Sequence, residues 1–215
     1  MATPKAGYFL KDGTKVPSVT TIIGRFKESG GLMYWAWKLG TEGKDYREEQ
    51  RFAAHIGTMV HEKVEAYVNK KDWVFSTETT DEVLQKVDRG FNAYREWQDN
   101  SKIEIIETEM PLVSELHRYG GTPDALGRVG DSTVLVDWKA SNAVYSDYLI
   151  QLAAYENLLQ EVRHIKIDGY HLCRFSKDYG DFSHHYFSEL SEAWESFTLM
   201  RRLYDLSNEL KKRVK

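Results

Sequence analysis

Asp137 and Lys139 stand two residues apart in the stretch TVLVDWKAS, residues 133–141. The alternating apolar letters predict a strand, and residues two apart on a strand share a face. A carboxylate and an ammonium therefore stand side by side, while Val134, Val136 and Trp138 take the opposite face, which can be core. Asp124 lies upstream, at the start of a partner strand over 125–129, and the Gly130-Asp131 turn folds it back toward Asp137. Two converging carboxylates make a hard-oxygen site suited to Mg²⁺ or Mn²⁺. A lysine beside them can stabilise charge developing on a phosphoryl group or position a water. Taken alone, the D-x-K triplet also reads as a surface ion pair at a strand end.

Further pairs fall at helical spacing, where residues i and i+4 reach the same side. His61 and Glu65 form one, Gln151 and Tyr155 another, and Arg51 with His55 continues the line toward His61. With Pro123-Asp124, twelve residues, then Asp137-Trp138-Lys139, the chain resembles the PD-(D/E)XK nuclease superfamily, and more closely its RecB-like exonuclease branch. GTMVHEKVE (57–65) is similar to that branch's G-T-x-x-H-x-x-x-E helix motif, and QLAAY (151–155) to its Q-x-x-x-Y motif. PSVTTIIG (17–24) resembles a segment of phage and mitochondrial genome maintenance exonucleases. The motifs come in the family's order over about residues 17–190, although many members lack the literal Pro123.

The resemblance implies a divalent-metal-dependent DNA exonuclease that hydrolyses phosphodiester bonds at DNA ends, single-stranded ends among them, through a metal-activated water. It makes His61, Asp124 and Asp137 the metal ligands, with the Trp138 backbone carbonyl beside them, and sets Lys139 near the attacking water and scissile phosphate. Gln151 would position the lysine or the water, and Tyr155 would contact substrate phosphate or support the site. Glu65 either orients a water or Lys139, or is a solvated helix carboxylate. An acidic residue on the strand before Pro111 is expected near the metal, with Glu109 and Glu107 as competing registers. Alternatives are a structure-specific or restriction-type endonuclease of the same fold, and a non-catalytic DNA-end or recombination partner. The expected setting is DNA replication, recombination or repair.

Basic and aromatic groups must hold the nucleic acid. Arg51, His55 and Lys38 are the leading basic candidates, with Arg47, Lys86, Arg89 and Arg95 elsewhere. Trp35, with Tyr34 and Trp37 in GLMYWAWKLG, can stack bases, or else pack a subdomain.

The elements that must position these residues follow from periodicity. Helices are expected over 47–70, 80–100, 146–161 and from 190 onward, and strands over 103–108, 110–113, 125–129, 133–138, 165–173 and 182–187. The fold class is α/β, a restriction-endonuclease-like core with a central mixed β-sheet flanked by helices, plus an N-terminal helical extension. Residues 1–50 form that helical segment, with 25–50 a candidate arch over the active site. Residues 51–215 form the nuclease core with its C-terminal helix.

Composition sets the outer bounds. The chain has 215 residues, 41% hydrophobic and 13% aromatic, which argues for a packed core. It has 29 Lys and Arg against 33 Asp and Glu, a net charge of −4, which only superficially argues against nucleic acid. A single cysteine, Cys173, excludes a cysteine-ligated iron–sulfur cluster, the cofactor of some members of the branch, and fits a reducing compartment. There is no apolar run of membrane length and no signal-peptide pattern. The expected location is the cytoplasm of a bacterial or phage-infected cell. Neither G-x-S-x-G nor a glycine-rich phosphate loop occurs.

Overall fold

The computed structural model describes residues 4, 7–27, 30–141, 143–176 and 178–214. A short hairpin, β1 (Tyr8–Phe9) and β2 (Lys15–Val16), leads into α1 (Val19–Phe26) and α2 (Gly30–Thr41). The long helices α3 (Tyr46–Val68) and α4 (Asp81–Ser101) follow. Then come β3 (Glu104–Thr108), β4 (Leu112–Ser114), β5 (Tyr119–Gly121), β6 (Ala125–Val129) and β7 (Ser132–Lys139). The chain closes with α5 (Ser146–Arg163), β8 (Gly169–Phe175), β9 (Phe182–Phe187) and α6 (Ser191–Arg213).

Helices α1, α3 and α4 start where a side chain satisfies a free N–H group. The Ser18 hydroxyl accepts from Thr21 N at the head of α1, and Asp45 caps α3 ahead of Glu48 and Glu49. Thr80 caps α4 ahead of Asp81 and Glu82, whose charges oppose the helix dipole. Lys211, Lys212 and Arg213 close α6 with the complementary sign.

Five strands make the central sheet, in the order β3-β6-β7-β8-β9. Only β7 and β8 run parallel. A parallel neighbour needs a crossover, and α5 supplies it. The sheet is therefore mixed and flanked by helices, as expected. Alternation along β7 sorts its residues to two cores. Val134, Val136 and Trp138 pack with Cys173 and Phe175 under α3 and α4. Leu135 packs with Tyr170 and Leu172 under α1, α5 and α6. Asp137 and Lys139 continue on Leu135's face, so β7 delivers its charged pair where its apolar run ends.

The first fifty residues differ from a purely helical segment. Residues 8–16 pair as a hairpin whose Tyr8, Leu10 and Val16 make a small cluster of their own. Helix α1 is built into the main core through Val19, Ile22 and Ile23. No helix among the described residues is long and apolar enough to cross a membrane.

One histidine pair, buried at His171, gives the fold an acid limit. His171 Nδ1 of β8 meets His184 Nε2 of β9 at 2.7 Å. Burial, and then His184, pulls the His171 imidazole from its ordinary value of 6.5 down to about 4. The folded state binds fewer protons than the unfolded chain between those values, so this contribution is complete above pH 6.5 and is lost as pH falls toward 4. Urea unfolding is expected to show on the order of 2 kcal/mol less stability at the acid end of this window, and His171→Gln is expected to flatten the slope.

Candidate active site

Asp124, Asp137 and Lys139 meet at one end of the central sheet, all three buried. Lys139 Nζ stands 2.6 Å from Asp137 Oδ2. Asp124 immediately precedes β6, and its Oδ2 accepts a hydrogen bond from Trp138 N at 2.9 Å. The backbone between the two charged residues of β7 thus fixes the neighbouring carboxylate. From α3, His61 Nδ1 lies 4.0 Å from Asp124 Oδ2, beside the Trp138 backbone. From α5, Gln151 Nε2 donates to Tyr155 Oη at 2.7 Å, one helical turn along.

The electrostatics are unbalanced toward negative charge. Burial, reinforced by Asp124 and opposed by Lys139, pushes the Asp137 carboxyl up to about 7. Burial also works against the Lys139 ammonium, but Asp137 and Asp124 outweigh it and hold the lysine charged. Burial pulls His61 down to about 4 against the attraction of Asp124, so its imidazole is neutral near pH 7. Tyr155 is held well above its ordinary value by burial and the two aspartates, and remains a phenol.

A divalent cation fits this donor set. His61 Nδ1, Asp124 Oδ1 and Asp137 Oδ1 are buried without a hydrogen-bond partner among the described residues, while Asp137 Oδ2 faces Lys139 Nζ. Neutral imidazole and carboxylate oxygen are the forms a metal requires. Among the described residues, no group of three or more His, Cys, Asp or Glu side chains encloses an ion by itself. The chain offers part of a shell, with backbone oxygen and water left to complete it, which is the habit of Mg²⁺.

Other expected residues divide by location. Glu65 is partly buried on α3, one turn beyond His61. Glu107 pairs with Arg163 of α5 at 2.8 Å. Glu109 is the acid beside the site: its N–H donates to the Asp124 carbonyl at 3.0 Å, and its φ of 51° lies in the left-handed region. Such a backbone is uncommon for a non-glycine residue. Arg51 and His55 are exposed on α3, and Lys38 is exposed on α2. Lys86 is engaged by Asp178 at 3.3 Å, and Arg89 donates to the Asp178 carbonyl. Arg95 and Arg47 lie over the rings of Tyr67 and Tyr46. On α2 the fully presented aromatics are Tyr34 and Trp37, with ring centroids 5.8 Å apart, while Trp35 is half-buried.

A cleft of about 390 Å³ opens beside the cluster. His61, Thr58, Tyr155, Thr122, Ser18 and Thr20 line it. Sequence reasoning missed the contribution of the N-terminal hairpin, where Tyr8 Oη meets Thr122 Oγ1 at 2.8 Å. It missed β5 too, whose glycines are there for closeness. A Cβ on Gly121 would stand 2.7 Å from Tyr155 Cε1 and 3.0 Å from Leu158 Cδ1. Gly121→Ala is expected to lower the unfolding free energy by about 1–3 kcal/mol through overpacking. Gly24→Ala, which meets nothing within 4 Å inside α1, is the control, with no loss in the same urea titration.

No family model matches the chain, and no curated protein matches it. Among solved structures it is similar to a candidate exonuclease of Eubacterium rectale, at 14% identity and a TM-score of 0.49, over 72% of this chain and 68% of that one. It is also similar to LHK-Exo, an alkaline exonuclease from Laribacter hongkongensis, at 13% identity and a TM-score of 0.40, over 73% and 84% of the two chains. The complex of LHK-Exo with dAMP gives 12% identity and a TM-score of 0.42, over 72% and 81%. These neighbours are thus described as exonucleases. None reaches a TM-score of 0.5.

Proposed function

We propose that this chain is a divalent-metal-dependent DNA exonuclease that hydrolyses phosphodiester bonds at DNA ends. One observation carries the reading: a buried pair of carboxylates with unpartnered oxygens, flanked by a charged lysine and a neutral histidine, at the edge of an open cleft. A non-catalytic DNA binder has no use for buried carboxylates facing phosphate. Asp124 and Asp137 would hold Mg²⁺ or Mn²⁺, with His61 as a third donor. The bound ion would supply Lewis acidity and lower the pKa of a coordinated water. Lys139 sets a fixed positive charge where the scissile phosphate gains negative charge. Tyr155, which accepts from Gln151, would support the cleft wall, and Glu65 and Glu109 would be the further acids on the metal side. Arg51, His55 and Lys38 offer charge on the approach to the cleft. Exposed Tyr34 and Trp37 offer faces for base stacking, and α2 is the arch under which an end would pass.

The test is digestion of end-labelled linear DNA in Mg²⁺ or Mn²⁺, beside closed circular single-stranded DNA. Linear DNA is expected to be degraded, the circle to survive, and Asp137→Ala to be inactive on both. Degradation that survives Asp137→Ala would remove the assignment. A cut circle would make the chain an endonuclease. Tight metal-free binding with no cleavage in any divalent ion would make it a DNA-end partner without catalysis.

A further inference from the structure

Helix α6 packs against the main core through Phe197, Trp194, Met200 and Tyr204. Its opposite side carries a second apolar line. Leu199, Leu203, Leu206 and Leu210 are 64, 49, 36 and 59% exposed. Their spacing of four, three and four residues is the d-a-d-a order of a heptad seam, along residues 199–210 of the 23-residue helix. Four charges border this line: Glu195, Arg202, Glu209 and Arg213, all exposed. No ion pair within the chain engages any of them among the described residues.

We infer that this seam pairs with the same seam of a second copy of the chain, the two α6 helices running antiparallel about a two-fold axis. The axis falls between Leu203 and Leu206. It sets Leu199 over Leu210 and Leu203 over Leu206, each contact occurring twice. The charges choose the direction. Antiparallel pairing brings Arg202 of one copy to Glu209 of the other, and Glu195 to Arg213. A parallel in-register pair would instead stack Arg213 on Arg213 at a core position and leave Arg202 and Glu209 without partners. Four leucines per copy make a small contact, so a dissociation constant in the micromolar range is expected.

Sedimentation of the full chain from about 1 to about 200 μM brackets such a constant. The mass is expected to rise from the 25.0 kDa of one chain to twice that value. Leu203→Glu with Leu206→Glu is expected to hold the mass at one chain with an unchanged melting curve, because both side chains are solvent-facing. Arg202→Glu and Glu209→Arg should each weaken association about tenfold, and the two together should restore it. Oxidation of a mixture of Leu199→Cys and Leu210→Cys chains should link unlike copies, with Cys173 buried out of reach. One-chain mass at the highest concentration, a dimer that survives the double glutamate variant, or cross-linking of Leu199→Cys chains to each other would each overturn the inference.

Discussion

Lys139→Met is expected to slow DNA hydrolysis about 10²–10³-fold while leaving Mg²⁺ affinity undiminished or higher. The two readouts move apart because of where Lys139 stands. Its Nζ lies 2.6 Å from Asp137 Oδ2, on the carboxylate that would receive the ion. A fixed ammonium there competes with a divalent cation for the same negative charge, so its removal favours binding. It also removes the positive side chain that faces the two carboxylates, and with it stabilisation of charge on the phosphate. Without metal, the variant leaves two buried carboxylates uncompensated, and its melting temperature falls. Mg²⁺ is then expected to restore that stability by mass action, which gives an affinity independent of turnover. Asp137→Asn supplies the contrast, losing hydrolysis and Mg²⁺-induced stabilisation together. A Lys139→Met chain that cleaves at the parent rate, or that loses the Mg²⁺ response, would contradict these roles.

Trp97→Ala is expected to cost about 3–5 kcal/mol in urea unfolding, the largest loss among single core truncations here. Trp97 is fully buried between Tyr94, Phe175 and His184, with ring centroids at 5.6, 6.0 and 5.8 Å. Deleting an indole there leaves a cavity walled by rigid rings that relax poorly. Trp97→Phe is expected to lose far less, since its Nε1 has no hydrogen-bond partner among the described residues to forfeit. A loss from Trp97→Ala below about 1 kcal/mol would mean that this core collapses freely around the gap. The same cluster reaches the site, because Tyr94 packs edge-on against Trp138 at 5.4 Å, and Trp138 N holds Asp124.

The parts of the fold legible in the sequence are those set by local rules. Alternation along 133–139 separated Asp137 and Lys139 from Val134, Val136 and Trp138, and β7 packs in that way. The Gly130-Asp131 turn brought Asp124 back because a hairpin register is fixed by its turn. Less was legible where tertiary contact overrides pattern. Strand β5 is Tyr-Gly-Gly, a poor strand former by propensity, and it exists because Tyr155, Leu158 and Tyr8 leave no room for a Cβ. The two-residue strands β1 and β2 carry too few letters for a period. Glu107 and Glu109 were inseparable because β3 is irregular between Ile105 and Glu107, and a bulge alters which residues share a face. Trp35, Tyr34 and Trp37 lie within one turn of helix, where sequence alone does not say which ring meets solvent.

The mixed topology of the sheet also orders its assembly in time. Asp124 and Asp137 are joined through the β6–β7 hairpin, a local element that closes within about 1–10 μs. Strand β8, which covers Asp137 at Leu172 and Lys139 at Arg174, arrives only after the whole α5 crossover is traversed. Such non-local parallel pairing is intrinsically slow. The two carboxylates therefore meet first in water, where their repulsion is weak, and lose that water later, as the crossover docks. Docking of β8 and α5 is expected to carry the desolvation of like charges, while the local hairpin forms free of it.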